Sequence, residues 1–270
     1  MPSDFTSRIR RALAGLALGL LAACTLPEPG QVTRDGIFDP YEARNRQIHE
    51  RSKDFDRQVT RPVAIAYARN VPEPAQDMVT NFANNLAVPG AVVNQVLQFD
   101  LGGALHNSVR FGLNTTLGFG GVFDVAADFG LQEDEADFGQ TLAVWGVPEG
   151  AFLELPILGP ATERDAVGQV VDLALDPLNV IPWPEKLYLR LPAAVAEVGQ
   201  RGRYAASVDS IFYESADSYA QSRLIYLQNR RFEVGTGQGS GLDAASGEID
   251  PYAELSDQIV DPYEELYGEQ

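Results

Sequence analysis

From Asp100 to Leu117 large apolar residues fall one helical turn apart: Leu101, Leu105, Val109, Leu113 and Leu117. A spacing of four lines them up as one stripe of an α-helix, with Asp100 placed to cap its start. His106, Asn107, Arg110 and Asn114 take the opposite side, while Ala104 and Phe111 widen the apolar surface. Just upstream, from Pro89, the residues Val92, Val93, Val96 and Leu97 share a second greasy face, away from Asn94 and Gln98. Downstream the stripe runs into Leu117-Gly118-Phe119-Gly120-Gly121-Val122-Phe123, an apolar hairpin with three glycines. Glycine permits a tight reversal there, yet the turn stays greasy where a soluble protein normally makes it polar. Such a turn is either buried under another element, the commoner case, or inserted in lipid. The chain must therefore cover these apolar faces with protein or with hydrocarbon.

Helical signals dominate the rest. Asp39-Pro40-Tyr41-Glu42 reads as a helix start, with Asp39 as cap and Pro40 in the first turn, and predicts a polar helix to about Thr60. Arg61-Pro62 restarts a second helix through Ala68. Pro72-Glu73-Pro74 reads as a turn before a helix from Ala75 to about Asn85. Further helices are expected over 162–175, 185–199, 204–214 and 218–230. Trp145 to Pro148 and Phe152 to Pro156 look extended, which allows one or two short strands between Gln140 and Leu158. No alternation of strands and helices suggests a parallel sheet. One domain over 35–234 fits this length.

The two ends differ from the body. Arg8, Arg10 and Arg11 precede a short apolar run, Ala12 to Leu20, in the order of a secretory signal over 1–23. That run is about half of what a spanning helix needs. Leu21-Ala22-Ala23-Cys24 resembles the bacterial lipobox, and Cys24 is the single cysteine of the chain. The resemblance implies acylation of Cys24, a tether over 24–34 and, with Thr25 following, sorting to the outer membrane. Multiple acyl chains hold a protein at a membrane far more firmly than one. Removing the signal leaves 17 basic and 37 acidic residues, a net charge of −20. Nucleic acid is excluded as a partner, because it demands a basic footprint. Membrane contact must come from apolar surface rather than a polybasic patch. The segment 235–270 carries acidic residues without Lys or Arg and reads as a disordered acidic tail. Inside it Asp250-Pro251-Tyr252-Ala253-Glu254-Leu255 is echoed by Asp261-Pro262-Tyr263-Glu264-Glu265-Leu266, as a docking peptide or a chance similarity in a solubilising tail.

Catalytic patterns are missing. His49 and His106 stand far apart, neither in a metal-ligand spacing, and there is no CxxC pair. The chain contains no G-x-S-x-G elbow and no G-x-x-x-x-G-K loop. Gly118 to Gly121 lacks the spacing of a dinucleotide-binding turn. No enzyme activity, metal or cofactor is expected beyond the lipid on Cys24.

A series of short motifs runs through the body in a fixed order. It begins with Asp39-Pro40-Tyr41-Glu42 and Asn45-Arg46, then Arg61-Pro62-Val63-Ala64, Val71-Pro72, Asn81-Phe82, Asn85-Leu86, Pro89 and Asn94. It continues with Arg110-Phe111, Asn114-Thr115, Leu117 to Gly121 and Asp124-Val125-Ala126. Phe138 to Leu142, Trp145-Gly146-Val147, Leu155-Pro156, Gly159-Pro160 and Arg164-Asp165 complete it, and the series resembles the MlaA (VacJ) family of outer-membrane lipoproteins. The sequence departs from the pattern in a highly charged stretch, Gln47 to Arg57, and in Asp217-Ser218-Tyr219 where Asp-Pro-Tyr is expected.

The resemblance implies a mainly α fold: a ring-like helical domain embedded in the inner leaflet of the outer membrane of a Gram-negative bacterium, facing the periplasm, around an amphipathic channel. Phospholipid misplaced in the outer leaflet would pass through it to a soluble periplasmic carrier (MlaC-like), beside a trimeric porin, keeping the membrane asymmetric. On this reading Asn94, Arg110 and Asn114 line the channel, and Leu117, Gly118, Phe119, Gly120, Gly121, Val122 and Phe123 form a gating hairpin. Asn94 and Asn114 could equally bond a neighbouring helix. A lipid-anchored scaffold without a channel is the alternative function, and a lipid hydrolase a third. Replacing Cys24 by Ala should abolish incorporation of labelled palmitate and shift the protein out of the membrane fraction. Retained labelling would disprove the lipobox.

Overall fold

The computed structural model describes Pro27 and residues 36–182 and 184–237. The signal segment 1–23, Cys24, the tether apart from Pro27, and the tail beyond 237 lie outside the described residues. The body is mainly helical, with one two-stranded sheet.

Helix α1 (Glu42–Phe55) passes through a π turn (Asp56–Thr60) directly into α2 (Arg61–Asn70). The break expected at Arg61-Pro62 does not occur. Pro62 falls in the first turn of α2, where its missing N–H costs little, and the widened turn before it makes room for its ring. Asp39 is not the cap either. The first helical residue follows Tyr41 with no side-chain cap, and Asp39 instead receives bonds from Asn45 Nδ2 (2.9 Å), the Tyr219 hydroxyl and Arg223. A buried guanidinium needs a carboxylate more than a solvated helix end needs a cap.

The two helices expected on either side of Pro89 are one, α3 (Glu73–Leu97). The interior proline costs about 3 kcal/mol in an isolated helix. Here α3 packs along its length against α4 (Leu101–Thr116), α6 (Phe138–Val144) and α8 (Glu185–Arg203), which outweighs that cost. The stripe helix α4 starts where the sequence places it, with the Asp100 side chain accepting from Gly103 N (2.9 Å). A short α5 (Val125–Asp128) follows, then α6. Its full capping box pairs Asp137 with Gln140.

Strands β1 (Phe152–Leu155) and β2 (Gly159–Thr162) pair antiparallel, Phe152 opposite Thr162. Thr162 then caps α7 (Glu163–Leu175). A 3-10 turn (Pro177–Val180) leads to α8, α9 (Ala205–Asp209), a π turn (Ser210–Glu214) and α10 (Ser218–Gly237). Helix α10 runs past Val234, the end assigned to the body from sequence.

What is buried is unusual. Among the described residues the buried apolar side chains form two small clusters: Ile37, Phe152, Tyr219 and Leu227, and Phe138, Leu142 and Val147. Among the described residues, buried polar side chains are as numerous as buried apolar ones. Asn85, Asn94, Asn107, Arg110 and Asn114 are at most 4 % exposed, while Leu101, Leu105 and Phe119 are 67–78 % exposed. Buried polar groups need partners, and most of these side chains have them, although single atoms such as Asn85 Oδ1, Glu154 Oε2 and Arg164 Nε have none. Asp165 accepts from Arg230 (3.0 Å), Tyr226 (2.7 Å) and Thr162 (2.7 Å), tying α7 to α10. Burial pushes its carboxyl up, but Arg230 and the hydroxyls bring it below the ordinary aspartate value.

Asp165→Ala leaves Arg230 short of a buried partner and should cost about 3–5 kcal/mol in denaturant unfolding. In the unsubstituted protein Asp165 titrates lower folded than unfolded. Its contribution is thus complete at neutral pH and declines as pH falls from about 4. Melts between pH 6 and pH 3 should show this loss, and the Ala variant should lack that component.

Candidate functional site

Helices α3, α7 and α8 border a cavity of about 590 Å³. Its walls come from α3 (Leu86, Ala87, Gly90, Ala91, Asn94), α7 (Gln169, Asp172, Leu173) and α8 (Leu189, Arg190, Ala193). Leu158, from the β1–β2 turn, stands 69 % exposed at its edge. Small residues on the α3 side make the room: a Cβ built on Gly90 meets nothing within 4 Å. The lining is largely apolar with one polar stretch, so the space is amphipathic.

The polar stretch starts at Asn94. Its Nδ2 donates to Asp172 Oδ1 (2.8 Å), and its Oδ1 accepts from Thr141 Oγ1 (3.1 Å). Asp172 also accepts from Phe138 N (3.0 Å). Burial raises the Asp172 carboxyl above its ordinary value, and neutral donors only partly oppose that. Further along, Asp176 caps the 3-10 turn through Leu178 N (2.7 Å) and pairs with Arg190. Arg190 Nε is buried with no hydrogen-bond partner. A second cavity of about 190 Å³ shares Gln169 and Asp172 with the first and adds Asp137, Asp165, Arg230 and Glu233.

Of the residues singled out from sequence, Asn94 borders this cavity, and Arg110 and Asn114 do not. These two belong to a tight network on the inner side of α4, around a space of only about 10 Å³. Arg110 donates to Asp124 Oδ2 (2.6 Å) and Leu131 O (2.5 Å). Asn114 donates to Asp124 Oδ1 (2.9 Å) and accepts from Ala126 N (2.8 Å). Burial raises the Asp124 carboxyl, but the bonds from Asn114 and Arg110 set it below its ordinary value. Asp124 also receives Ala127 N and so starts α5.

This network pins the base of the segment 117–123. Gly121 N and Phe123 N donate to Asn114 O (2.8 Å) and Gly118 O (3.0 Å). Asn85 Nδ2 reaches Gly120 O (3.2 Å) and Asn81 Nδ2 reaches Val122 O (3.4 Å), coupling the segment to α3. The glycines differ in their task. At Gly118 a Cβ would lie 2.2 Å from Phe123 O and 2.5 Å from Asn114 O, and at Gly121 2.3 Å from Asn85 Cβ. Gly120 has open space but a φ of +78°. Phe119 takes a φ of 54° as a non-glycine and packs edge-on against Phe123 at 6.1 Å, yet stays 78 % exposed.

Exposed apolar surface extends from that tip. Phe119, Leu117, Val109, Leu105, Leu101 and Phe99 all stand out from α4 or its ends. Among the described residues, the three non-glycine residues with positive φ, Phe99, Phe119 and Ile157, are all exposed apolar side chains. Strained backbone of this kind persists where surrounding structure imposes it. Val122 also joins Met78, Phe82, Tyr188, Leu191 and Val195 around an apolar groove of about 370 Å³ between α3 and α8. Among the described residues no helix is long and apolar enough to cross a membrane. None of their acidic, His or Cys residues group as a metal site.

Sequence reading missed Asp172, Asp176 and Arg190. A single polar residue among leucines at helical spacing looks like a solvated face, and only the crossing of α3, α7 and α8 turns it inward. It also missed a line of side chains: Ser218 Oγ lies 3.1 Å from His49 Nε2, and His49 Nδ1 lies 3.3 Å from Glu154 Oε1. Nucleophile, base and acid stand in that order in hydrolases. Here all three are at most 6 % exposed, Lys53 Nζ also donates to Ser218 Oγ (3.2 Å), and none of the cavities above includes them. The cluster joins α1, β1 and α10.

Gly118→Ala forces two backbone carbonyls apart and should cost about 1–3 kcal/mol, with faster protease cleavage within 117–123. Gly120→Ala carries only the left-handed strain, about 1–2 kcal/mol. Thermal melts and limited proteolysis of both would check this, and equal nicking of both would contradict the packing account.

Comparison with known proteins agrees with this architecture. Residues 37–233 match the family described as MlaA lipoprotein. The intermembrane phospholipid transport system lipoprotein MlaA of Escherichia coli (strain K12) is 34 % identical over 232 residues, covering 84 % of this chain and 90 % of that protein. Its namesake in Haemophilus influenzae is 31 % identical over 190 residues, 68 % of this chain and 74 % of that one. An uncharacterized protein of Rickettsia prowazekii is 39 % identical over 200 residues, covering 73 % and 78 %. A chain solved in work on the structural basis for maintenance of bacterial outer membrane lipid asymmetry superposes with a TM-score of 0.62 at 30 % identity, covering 73 % of this chain and 98 % of that one. The chain belongs to the MlaA lipoprotein family.

Proposed function

We propose that this protein moves phospholipid out of the outer leaflet of the outer membrane, lowering it through the cavity between α3, α7 and α8. The observation that carries the reading is that cavity, apolar over most of its wall and polar along Asn94, Asp172 and Arg190. A phospholipid crossing a leaflet unaided drags its charged head through hydrocarbon at high cost. A passage with polar groups on one side lets the head stay solvated while the chains keep apolar contact.

The exposed stripe on α4, with Phe99 and Phe119 at its ends, then faces the hydrocarbon of one leaflet. A helix of 16 residues is about 24 Å long, enough to lie within or tilt through a monolayer without spanning the bilayer. Arg110, Asn114 and Asp124 serve this function indirectly, by fixing the segment 117–123 against α3, which forms one wall of the passage. The phospholipid transport and lipid asymmetry ascribed to the relatives support this reading. Acylation of Cys24, seating beside a trimeric porin and delivery to a soluble periplasmic carrier complete it.

Gly90 offers the cleanest test, since it lines the cavity and a Cβ built there meets nothing within 4 Å. Gly90→Phe should fold, melt within a few degrees of the parent and still co-purify with porin. Surface-exposed phospholipid in cells carrying it should rise to the level of cells lacking the protein. Unimpaired clearance with the cavity filled would overturn the passage, and joint loss of clearance and porin association would favour the scaffold reading.

A further inference from the structure

We propose that the cavity prefers phospholipids whose headgroup carries an amine, with Asp172 and Asp176 receiving the ammonium and Arg190 the phosphate. This rests on the passage reading above and deepens it. The charged groups on the cavity wall are two carboxylates and one guanidinium, a net negative lining. Two features show what each lacks.

Asp172 is held by neutral donors, Asn94 Nδ2 and Phe138 N. Arg230 acts on it from a distance, its own direct bonds going to Asp137, Asp165 and Glu233. The upward displacement of its carboxyl follows from burial without a direct counter-charge. An ammonium entering the cavity supplies that charge.

Arg190 is the complementary half. One of its terminal nitrogens is committed to Asp176, while Nε is buried with no acceptor. A phosphate oxygen gives that donor a charge-assisted bond. The neighbouring cavity that shares Asp172 carries Asp137, Asp165 and Glu233 against Arg230 alone, so it too is net negative. A phosphoethanolamine head presents phosphate and ammonium together and satisfies both halves. A phosphoglycerol head satisfies Arg190 but gives Asp172 no counter-charge and is repelled by it.

The test uses full-length lipidated protein in detergent, exchanged against an equimolar mixture of phosphatidylethanolamine and phosphatidylglycerol, then recovered for mass spectrometry of bound headgroups. The amine lipid should be enriched about fivefold, the factor that roughly 1 kcal/mol provides. Asp172→Asn should bring the ratio close to that of the mixture. Asp176→Asn should lower it independently, leaving the bonds from Asn94 and Phe138 to Asp172 intact. A wild-type ratio equal to the input, or enrichment that survives both substitutions, overturns the preference. Gly90→Phe separates this from failure of the passage itself: if bound phospholipid persists undiminished with the cavity filled, the lipid sits elsewhere and both readings fall.

Discussion

Burial in this protein is partly inverted, and its architecture follows from that. Asparagine, arginine and aspartate fill the inner side of the helices, while leucine and phenylalanine stand outside on α4 and the segment 117–123. Apolar packing alone cannot hold such a body together, because the apolar clusters are small. Hydrogen-bonded carboxylates do much of that work. Asp39 gathers α1 and α10, Asp165 joins α7 to α10, Asp124 fixes the end of α4, and Asp56 ties the first π turn to Arg201 of α8. A buried carboxylate is costly unless its partners are complete, so each of these contacts also selects one arrangement of the helices.

That same inversion creates the cavity. Where α3, α7 and α8 border it, their facing residues are too small or too polar to close the gap, and Gly90, Ala87 and Ala91 leave it open. An ordinary core would collapse into such a space, since unfilled apolar volume destabilises. Under the proposed function the volume is occupied in passing by lipid, and the outer stripe by hydrocarbon. Lipid would then serve as both surroundings and cargo.

Much of this was legible in the residues. The helix over 101–116, its Asp100 cap, the greasy turn after it and Thr162 opening α7 all depend on neighbours within a few positions. Local periodicity and capping chemistry report these faithfully. The misreadings share one cause. Pro62 and Pro89 signal breaks locally, yet α8, distant in sequence, packs against both helices and, with the π turn before Pro62, keeps them intact. Asp39 is a good cap by its neighbours, but Arg223 and Tyr219, more than 170 residues on, claim its oxygens.

By itself the sequence determined the helical class, the amphipathic division of the region around position 100, and motifs that place the chain in its family. Those properties are encoded in spacing along the chain. Only the tertiary structure decided which polar residues face a cavity and which are sealed. Arg110 and Asn114 follow the same helical period as a pore lining would, but Asp124 folds back on them. Asp172, Asp176 and Arg190, unremarkable in sequence, reach the opening instead. Periodicity fixes the side of a helix on which a group lies, whereas what stands opposite that side depends on how separate segments cross.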